Sequence, residues 1–336
     1  MLNVSIVVYH PDWVGEVIPL VSELLRIQRI NKVYLIDNSE IPGTDNLPIE
    51  WGCIVARQED GMVVDEGQGT RDERQWMKDD GRWTNGEGRM AKDGSRVEYV
   101  FMGENAGYGK AHNVALRESV YDKVPYHLVL NADISLNAEE IDSLCRFMDA
   151  QPAVGQLMPK VVYPNGETQY LCKLLPTPID VFGRRFLPKR IIARRNARYE
   201  LRASGYNRPM NVPYLSGCFM LLRTEAALKA GLFDERYFMY PEDIDLTRRI
   251  HRDYLTLYYP AIQIVHNHKK GSYHSMRLLW IHIVNMCKYF NKWGWWYDPE
   301  RRAFNRQLLD ELNKLSLFRY DRNQRKQASN HKGEYK

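Results

Sequence analysis

Short apolar runs alternate with amphipathic stretches along the first part of the chain. Residues 3–9 are almost continuously apolar, which is typical of a parallel strand that is covered on both faces. Apolar residues recur at helical spacing from Asp12 or Trp13 to Leu25, and residues 32–36 form a second apolar run. A strand, a helix and a strand within about 35 residues predict a right-handed βαβ unit.

The alternation of strands and helices continues beyond this unit. Further strands are predicted at residues 97–101, 126–130, 154–162, 212–222, 256–259 and 262–265. Asn137 followed by Glu139 and Glu140 predicts the start of one helix, and Pro241 predicts the first position of another. We therefore predict an α/β fold, in which helices flank a single Rossmann-like, mostly parallel sheet.

Two segments depart from this alternation. Residues 58–96 combine many glycines with dense mixed charge and sustain no period, so we predict a flexible insertion there. Residues 276–293 predict an amphipathic helix rich in aromatic side chains, and the chain from Glu300 onward is polar and basic. We expect one domain over residues 1–272, and an extension made of this helix and a basic tail over residues 273–336.

The composition is that of a globular protein. The chain has 336 residues, of which 44% are hydrophobic and 26% are charged. Its longest apolar runs are too short to span a bilayer, and its first residues lack the pattern of a signal peptide. The five cysteines are scattered and form no CxxC pair, so we expect neither a disulfide framework nor a zinc ribbon. These features favour a reducing cytoplasm.

The net charge of +5 is mild but unevenly distributed. Residues 184–208 contain nine arginine and lysine residues and a single acid, Glu200. Such a segment suits anionic lipid headgroups, diphosphates or nucleic acid, and it is equally compatible with a solvated loop.

Polar side chains follow four of the predicted strands. Open parallel sheets bind ligands at the carboxyl ends of their strands, so the convergence of four polar ends predicts a site. The four polar ends are Tyr9-His10, Asp37-Asn38, Asn131-Ala132-Asp133 and His266-Asn267-His268. In an extended backbone Asn131 and Asp133 face the same side, as a cation site bridging carboxylate and phosphate would require. An Asx-rich turn is the alternative.

Two further motifs have both a structural and a functional interpretation. The turn from Asn105 to Lys110 contains two glycines before a predicted helix, and Lys110 could pair with a phosphate, although any such turn favours glycine. Asp243 lies beside Glu242 in the first turn of a predicted helix, where it could complement the helix dipole or act as a general base. His266 and His268 could be metal ligands or polar strand ends.

Taken together, these motifs resemble the glycosyltransferase family 2 proteins of bacterial cell-surface polysaccharide synthesis, and within them the rhamnosyltransferase-like branch. The resemblance runs in order over about residues 3–298, except near residues 58–96. The motifs that carry it are SIVVYH, LIDNS, ENAGYGKAHNVAL, LVLNADISL, YLSGCFMLLR, GLFDERYFMYPEDIDLTRR and VHNHKKGS. The resemblance implies a glycosyltransferase A fold, an inverting reaction, and a dTDP- or UDP-sugar donor bound with Mn or Mg.

The resemblance also implies roles for individual residues. The donor-binding residues would be Tyr9, Asp37, Asn38, Asn105, Gly107, Lys110, Asn131 and Asp133. Residues 130–135 stand where the family has its Asp-x-Asp motif, although the first acid is Asn131 here. Asp133 would be a metal ligand with His266, for which His268 is the substitute. Asp243 of the Glu242–Asp243 pair would be the catalytic base.

The expected acceptor is a glycan or a lipid-linked glycan, and residues 165–212 would form the acceptor side. We expect the chain in the cytoplasm, either free or bound peripherally to an anionic membrane surface at the inner face of the cell membrane, and we expect no nucleic-acid partner. Two other functions stay open: a sugar nucleotidyltransferase, and a non-catalytic protein that binds a nucleotide-sugar or a glycan.

Overall fold

The computed structural model of this chain describes residues 1–48, 51, 54–59, 62–64, 96–183, 188–267 and 276–314. Most of the predicted insertion at 58–96 lies outside the described residues, as do His268 and the tail beyond residue 314. Arg184 and Arg185 of the basic segment also lie outside them.

A large mixed sheet forms the centre of the molecule. Its strands lie in the spatial order β10–β13–β8–β12–β6–β1–β2–β5–β3–β4, with β7 paired to β13, while β9 and β11 form a separate two-stranded sheet. The strands are β1 (Leu2–Val8), β2 (Ile30–Asp37), β3 (Ile54–Glu59), β4 (Met62–Val64), β5 (Val97–Phe101), β6 (Tyr126–Leu130), β7 (Ile134–Ser135), β8 (Val154–Val162), β9 (Cys172–Lys173), β10 (Met210–Asn211), β11 (Tyr214–Leu215), β12 (Phe219–Arg223) and β13 (Leu255–His266).

The predicted α/β fold with a mostly parallel sheet is confirmed. Strands β3, β5, β2, β1 and β6 run parallel to one another, and β8 runs parallel to β13. Strand β12 is the exception inside the sheet, because it lies between β6 and β8 and is antiparallel to both. Its first residue, Phe219, pairs with Leu130, the last residue of β6. The segment before β12 therefore meets the edge of the sheet where β6 ends.

Helices cover both faces of the sheet. They are α1 (Ile18–Leu25), α2 (Tyr108–Tyr121), α3 (Ala138–Ala150), α4 (Pro178–Phe182), α5 (Lys189–Tyr199), α6 (Thr224–Ala230), α7 (Glu242–Ile250), α8 (Met276–Trp293) and a helix at 299–314, which we call α9. On one face α1 and α3 pack on the sheet through residues such as Leu24 and Leu144, whereas α2, α6 and α7 cover the other through Ala115, Ala226 and Leu246.

Several predicted boundaries agree with the structure and others need correction. Helix α8 has the predicted bounds, and α3 begins with a capping box in which Asn137 and Glu140 bond reciprocally. Pro241 precedes α7 instead of occupying its first position. The two strands predicted near the end of the sheet are one strand, β13, whose register shifts between Tyr259 and Gln263.

Two further predictions differ from the structure because a turn or a helix was not recognised. The run at residues 212–222 is two strands, β11 and β12, separated by a turn that contains Gly217. The basic segment contains helix α5, so the alternative of a solvated loop is wrong. Within the described ranges, no helix combines the length and apolarity needed to cross a membrane.

The C-terminal helices hold α7 in place through buried charges. The guanidinium of Arg248, on α7, donates to both carboxylate oxygens of Asp298 at 2.7 and 2.8 Å, and it lies 4.0 Å from the ring centroid of Trp293. Asp245, one turn earlier, accepts from the indole nitrogen of Trp293 at 2.7 Å. Because Glu242 and Asp243 begin this helix, the C-terminal helices fix the position of both carboxylates.

Candidate active site

The ends of β6 and β13 bring two predicted metal ligands together. Strand β7 pairs antiparallel with the end of β13, so that Ile134 lies opposite His266. The Oδ1 atom of Asp133 is consequently 3.1 Å from Nε2 of His266. Gln169 orients the imidazole from the other side, because its Oε1 lies 2.9 Å from Nδ1 and its Nε2 donates to the His266 carbonyl.

The hydrogen bonds around His266 favour its protonated form. Burial lowers its pKa, but the hydrogen bonds with Asp133 and Cys218 outweigh burial and raise the pKa to about 10. A positive imidazolium thus balances the carboxylate of Asp133. A bound cation would take the place of that proton, since only the neutral imidazole can be a ligand.

The Asp133–His266 pair fits a divalent cation as two ligands of an incomplete set. Ligands at about 2.1 Å from an octahedral ion lie roughly 3 Å apart when they are adjacent, which agrees with the observed 3.1 Å. Carboxylate oxygen suits ions such as Mn²⁺ and Mg²⁺, and imidazole nitrogen suits transition metals. In the part of the chain that the structure describes, no three His, Cys, Asp or Glu side chains cluster as a complete site. Further ligands would come from substrate oxygens or water.

Asn131 is turned toward a different partner. Its Oδ1 accepts a hydrogen bond from the Tyr108 hydroxyl at 3.0 Å, and its backbone nitrogen donates to the Cys218 carbonyl at 3.0 Å. The amide therefore links the end of β6 to the start of α2 and to the turn before β12.

The carboxylate of Asp243 is buried at the start of α7 and fixed by two backbone donors. Gly217 donates its N–H to Oδ2 at 2.8 Å, and Ile244 donates to Oδ1 at 2.7 Å. A Cβ atom on Gly217 would lie 3.2 Å from the Cβ atom of Asp243, so the absence of a side chain permits this close approach. The turn between β11 and β12 thus orients the carboxylate.

Burial raises the pKa of both Glu242 and Asp243 above the ordinary range of carboxyl groups. The repulsion from Asp243 adds to the shift of Glu242, whereas the N–H donors of Gly217 and Ile244 partly offset the shift of Asp243. Among the described residues, Oε2 of Glu242 has no hydrogen-bond partner. The two N–H donors on Asp243 and the unpartnered Oε2 of Glu242 thus favour the ionised form at Asp243 when the pair shares one proton.

Tyr108 connects the metal pair to the carboxylate pair. Its hydroxyl lies 3.0 Å from Oδ1 of Asn131 and 2.8 Å from the carbonyl of Gly217, and it can donate to one of them at a time. Burial and the negative groups around it, Asp133 among them, raise the pKa of Tyr108 well above its usual value. This tyrosine stays neutral and holds the two halves of the site at a fixed spacing.

The residues predicted to bind the nucleoside form a second group on the other side of Tyr108. Asn38 donates to the carbonyl of Gly107 at 3.2 Å, and its Oδ1 has no hydrogen-bond partner within the described part of the chain. Gly107 has φ of 86°, and a Cβ atom there would lie 2.5 Å from the carbonyl of Phe238, so this turn requires glycine. Asp37 accepts a hydrogen bond from the hydroxyl of Tyr99 at 2.6 Å, so its carboxylate stabilises the loop after β2 from inside the protein.

The remaining predicted donor residues are more exposed. The hydroxyl of Tyr9 donates to Glu40 at 3.1 Å, and Asn105 accepts from the backbone nitrogen of Gly107 at 3.2 Å. Lys110 lies 3.8 Å from Glu104 and is free to turn toward a phosphate. The structure thus brings Asn131, Asp133, Glu242, Asp243 and His266 into one site, with Asn38 and Gly107 adjoining it through Tyr108 and with Tyr9, Asn105 and Lys110 at its exposed margin.

A cavity of about 350 Å³ opens beside Asp133. Its wall includes Asn137 and Asn267 from the two strand ends, and Gly15 and Glu23 from the helix after β1. It gives Asp133 access to a ligand beside the third and fourth of the polar strand ends predicted from sequence.

Comparison with known proteins identifies the family. The sequence model described as glycosyl transferase family 2 matches residues 75–230. The N-acetylglucosaminyl-diphospho-decaprenol L-rhamnosyltransferase of Mycobacterium tuberculosis is 31% identical over 216 residues, which cover 59% of this chain and 69% of that relative. The chain belongs to glycosyltransferase family 2.

Two further similarities agree with this assignment. Rhamnosyltransferase WbbL of Escherichia coli is 36% identical to this glycosyltransferase over 81 residues, which cover 23% of this chain and 30% of WbbL. The structure of the mannosyltransferase PcManGT from Pyrobaculum calidifontis, in complex with GDP-Man and Mn²⁺, superposes with a TM-score of 0.51 at 14% identity and covers 91% of this chain and 68% of that one. The predicted glycosyltransferase A fold and glycosyltransferase class are confirmed.

Three residues of the site in this glycosyltransferase were not singled out from the sequence: Tyr108, Gly217 and Cys218. Their partners are distant in the chain, since Tyr108 contacts Asn131 and Gly217 contacts Asp243. The signals in the sequence were local: Tyr108 lies between two glycines before a predicted helix, and Gly217 interrupts an apolar run.

Proposed function

We propose that this chain is an inverting, metal-dependent rhamnosyltransferase. It transfers the sugar from a dTDP- or UDP-linked donor to a hydroxyl group of a lipid-linked glycan, with Asp243 as the base. The identity with the mycobacterial rhamnosyltransferase, whose name specifies a diphospho-decaprenol acceptor, supports the choice of sugar and of acceptor class. The resemblance of this chain's motifs to the family supports the inverting course.

The observation that carries the proposal is the continuous set of contacts from Asp243 to the Asp133–His266 pair. Gly217 contacts Asp243 through its N–H and Tyr108 through its carbonyl, and Tyr108 contacts Asn131, two residues before Asp133. The proposed base and the proposed cation ligands therefore lie at opposite ends of one connected set of residues. Transfer between a nucleophilic hydroxyl and a diphosphate leaving group needs these two functions.

Asp243 would remove the proton from the acceptor hydroxyl. As that oxygen bonds to the anomeric carbon, the bond from this carbon to the donor's diphosphate oxygen breaks, and the configuration at the carbon inverts. Burial raises the pKa of Asp243, which makes it a stronger base than an exposed aspartate. The N–H groups of Gly217 and Ile244 hold the carboxylate in one orientation while its remaining lone pairs accept the proton.

Glu242 would act as a neutral neighbour. Because it retains its own proton while Asp243 is ionised, it adds no second negative charge next to the acceptor hydroxyl. Its protonated carboxyl can donate a hydrogen bond to a sugar hydroxyl in the site.

Asp133 and His266 would hold the divalent cation, Mn²⁺ or Mg²⁺. The cation, when bound, supplies Lewis-acid stabilisation of the negative charge on the departing nucleoside diphosphate. The solved mannosyltransferase of the same fold contains Mn²⁺ with its nucleotide-sugar, which is consistent with a cation here. Asn38, with an amide oxygen free among the described residues, and Lys110, at the exposed margin, would contact the nucleotide.

The acceptor class suggests where the enzyme works. A lipid-linked glycan is anchored in a membrane, so we place the chain in the cytoplasm and, during turnover, at the inner face of the cell membrane.

The decisive test replaces Asp243 by Asn, which keeps the size and the contact with Gly217 but removes the base. Transfer of rhamnose from dTDP- or UDP-rhamnose to a short-chain N-acetylglucosaminyl diphospholipid should fall about 10²- to 10⁴-fold, while calorimetry still detects donor binding in the presence of Mn²⁺.

Glu242→Gln is the matched comparison, because glutamine imitates the protonated state. This variant should retain transfer within roughly 10-fold of the wild type. Full transfer by Asp243→Asn would show that another group is the base, and absence of transfer by the wild-type enzyme with either donor would reject the rhamnosyl assignment.

A further inference from the structure

A second and larger cavity lies away from the carboxylates, between α5 and the C-terminal helices. Its volume is about 560 Å³. Five arginines from two helices, α5 and α9, line it: Arg195, Arg198, Arg301, Arg302 and Arg306. The acidic residues in its wall are Asp180 and Asp310, so the cavity carries an excess of positive charge.

The five arginines differ in what they are available to bind. Arg195 is paired with Asp180 at 2.7 Å, and the buried Arg301 donates to backbone carbonyls such as that of Pro176. Arg198 and Arg306, in contrast, are exposed and pair with no acid among the described residues. The two arginines approach the cavity from opposite walls, α5 and α9. Their charges are available for an anion that enters the cavity.

Lys173 and Tyr214 connect the cavity wall to Asp243. Leu174, in the cavity wall, directly follows Lys173, whose positive charge lowers the pKa of Asp243 against the larger effect of burial. Lys173 also lies 5.2 Å from the ring centroid of Tyr214, and Tyr214 is close enough to Asp243 and to Tyr199 of the cavity for both to raise its pKa, after burial. The arginines are therefore on the side of Asp243 that belongs to β9 and α5.

An exposed aromatic side chain forms part of the rim. Trp296 lines the cavity and is 69% exposed, and its neighbour Tyr297 is 73% exposed. Large exposed aromatic side chains next to arginines are suited to an amphipathic molecule, since the ring covers apolar groups while the guanidinium binds the anion.

We propose that this cavity binds the diphosphate group of the lipid-linked acceptor. Arg198 and Arg306 would bind the diphosphate oxygens, and Trp296 would contact the first apolar segment of the lipid. The glycan attached to the diphosphate would then extend past Lys173 toward Asp243. This inference rests on the proposed function for the identity of the acceptor, but the anion site itself is carried by the cavity and its arginines.

The test measures binding separately from catalysis. Farnesyl diphosphate and inorganic diphosphate are titrated into the intact chain in EDTA, which prevents cation-assisted binding near Asp133. The double variant Arg198→Ala/Arg306→Ala should bind farnesyl diphosphate at least about 10-fold more weakly than wild type, because charged hydrogen bonds are lost. Arg194→Ala, an exposed arginine of the same helix outside the cavity wall, is the matched control and should bind as wild type does.

Each outcome has a defined meaning. Equal affinity of wild type and double variant overturns the proposal, as does equal binding of farnesyl and inorganic diphosphate, which would indicate a site for free anions. If the double variant loses binding to anionic phospholipid vesicles but keeps its affinity for farnesyl diphosphate, the proposal is also overturned. The two arginines would then belong to a membrane-binding surface. If the double variant raises KM for the acceptor with kcat intact, both proposals stand. If the double variant loses farnesyl diphosphate binding but the wild type transfers no rhamnose, only the proposed function is rejected.

Discussion

At the scale of single residues, burial and a few backbone donors give ordinary carboxyl groups distinct properties. Asp243 and Glu242 are neighbours with raised pKa values, and only Asp243 is held by the N–H groups of Gly217 and Ile244. Asp133 differs from both because an imidazole lies beside it. Three acids therefore have three environments, and these environments decide which acid can exchange a proton and which can bind a cation.

The paired environment of Asp133 leads to a prediction about metal binding. Asp133→Asn removes the charged ligand, so Mn²⁺ affinity in the presence of the nucleoside diphosphate should fall at least roughly 10-fold. Calorimetry or electron paramagnetic resonance of Mn²⁺ measures this affinity directly. Removal of the metal by EDTA should abolish transfer by the wild type, and added Mn²⁺ or Mg²⁺ should restore it.

Asp122→Asn provides the control for that measurement, since Asp122 is exposed at the C-terminal end of α2, opposite to the end that carries Tyr108. It should leave Mn²⁺ affinity unchanged. Tight Mn²⁺ binding by Asp133→Asn would remove Asp133 from the ligand set.

Sequence reasoning was most informative where a residue's role depends on its local position. Asp133 and His266 were recognisable because each follows a strand, and the carboxyl ends of strands meet at one edge. Tyr108 was not recognisable, because its hydroxyl contacts residues of β6 and of the turn before β12. Such contacts exist only after folding, and no local pattern encodes them.

At the scale of elements, helix ends were easier to predict than strand directions. The start of α3 follows from local bonds between Asn137 and Glu140. The antiparallel direction of β12 depends on the two strands between which it lies. The apolar sequence of β12 itself does not indicate the direction of the strand. The register shift in β13 was missed for the same reason, since it exists only in the pairing with β8, where Tyr259 and Gln263 face the consecutive residues Pro159 and Lys160.

Helix α2 is held to the sheet by a buried polar network as well as by apolar contacts. The hydroxyl of Ser5 shares hydrogen bonds with His112 and His127, and Ser119 shares one with the other nitrogen of His127. Burial lowers the pKa of His127 to about 3 and that of His112 well below its usual value. Both imidazoles are therefore neutral in the folded protein.

This network predicts that the protein loses stability in acid. Below pH 6.5 the unfolded chain protonates His127 and the folded protein does not, so the free energy of unfolding should fall by about 1.4 kcal/mol per pH unit as the pH drops toward 3. Urea denaturation of wild type and His127→Asn from pH 7.5 to 4.5 measures the effect. The difference in stability between them should shrink as the pH falls, whereas parallel curves would contradict the assignment.

At the scale of the whole molecule, the C-terminal helices are part of the active-site scaffold. Asp298 neutralises the buried Arg248 and also accepts the N–H of Arg301 in the first turn of α9. One carboxylate thus joins α7, which carries Asp243, to the last described helix. The predicted division at residue 272 stays a prediction, and these contacts cross it.

Asp298→Ala should therefore destabilise the protein by about 3 kcal/mol, because among the described residues it leaves the buried charge of Arg248 with Glu300 as its one carboxylate partner. Transfer activity should fall with stability, since the orientation of Asp243 depends on α7. Chemical denaturation with an activity assay on the same samples measures both.

Asp253→Asn, which breaks an exposed pair with Lys229, should change the stability by less than about 0.5 kcal/mol. Equal effects of the two substitutions would contradict the proposed anchoring role.

The antiparallel strand β12 also bears on how a shortened chain would behave. Until residues 219–223 are present, β6 and β8 have no strand between them, and the facing edges of two buried, largely apolar strands remain open. Open apolar edges are templates for pairing with other chains, which leads to aggregation. A truncated chain that ends before Phe219 would retain Asp133 and most of the predicted donor residues but would be prone to self-association. The part of the chain before Phe219, which carries most of the predicted donor residues, is thus not an independent domain, even though its motifs are contiguous in the chain.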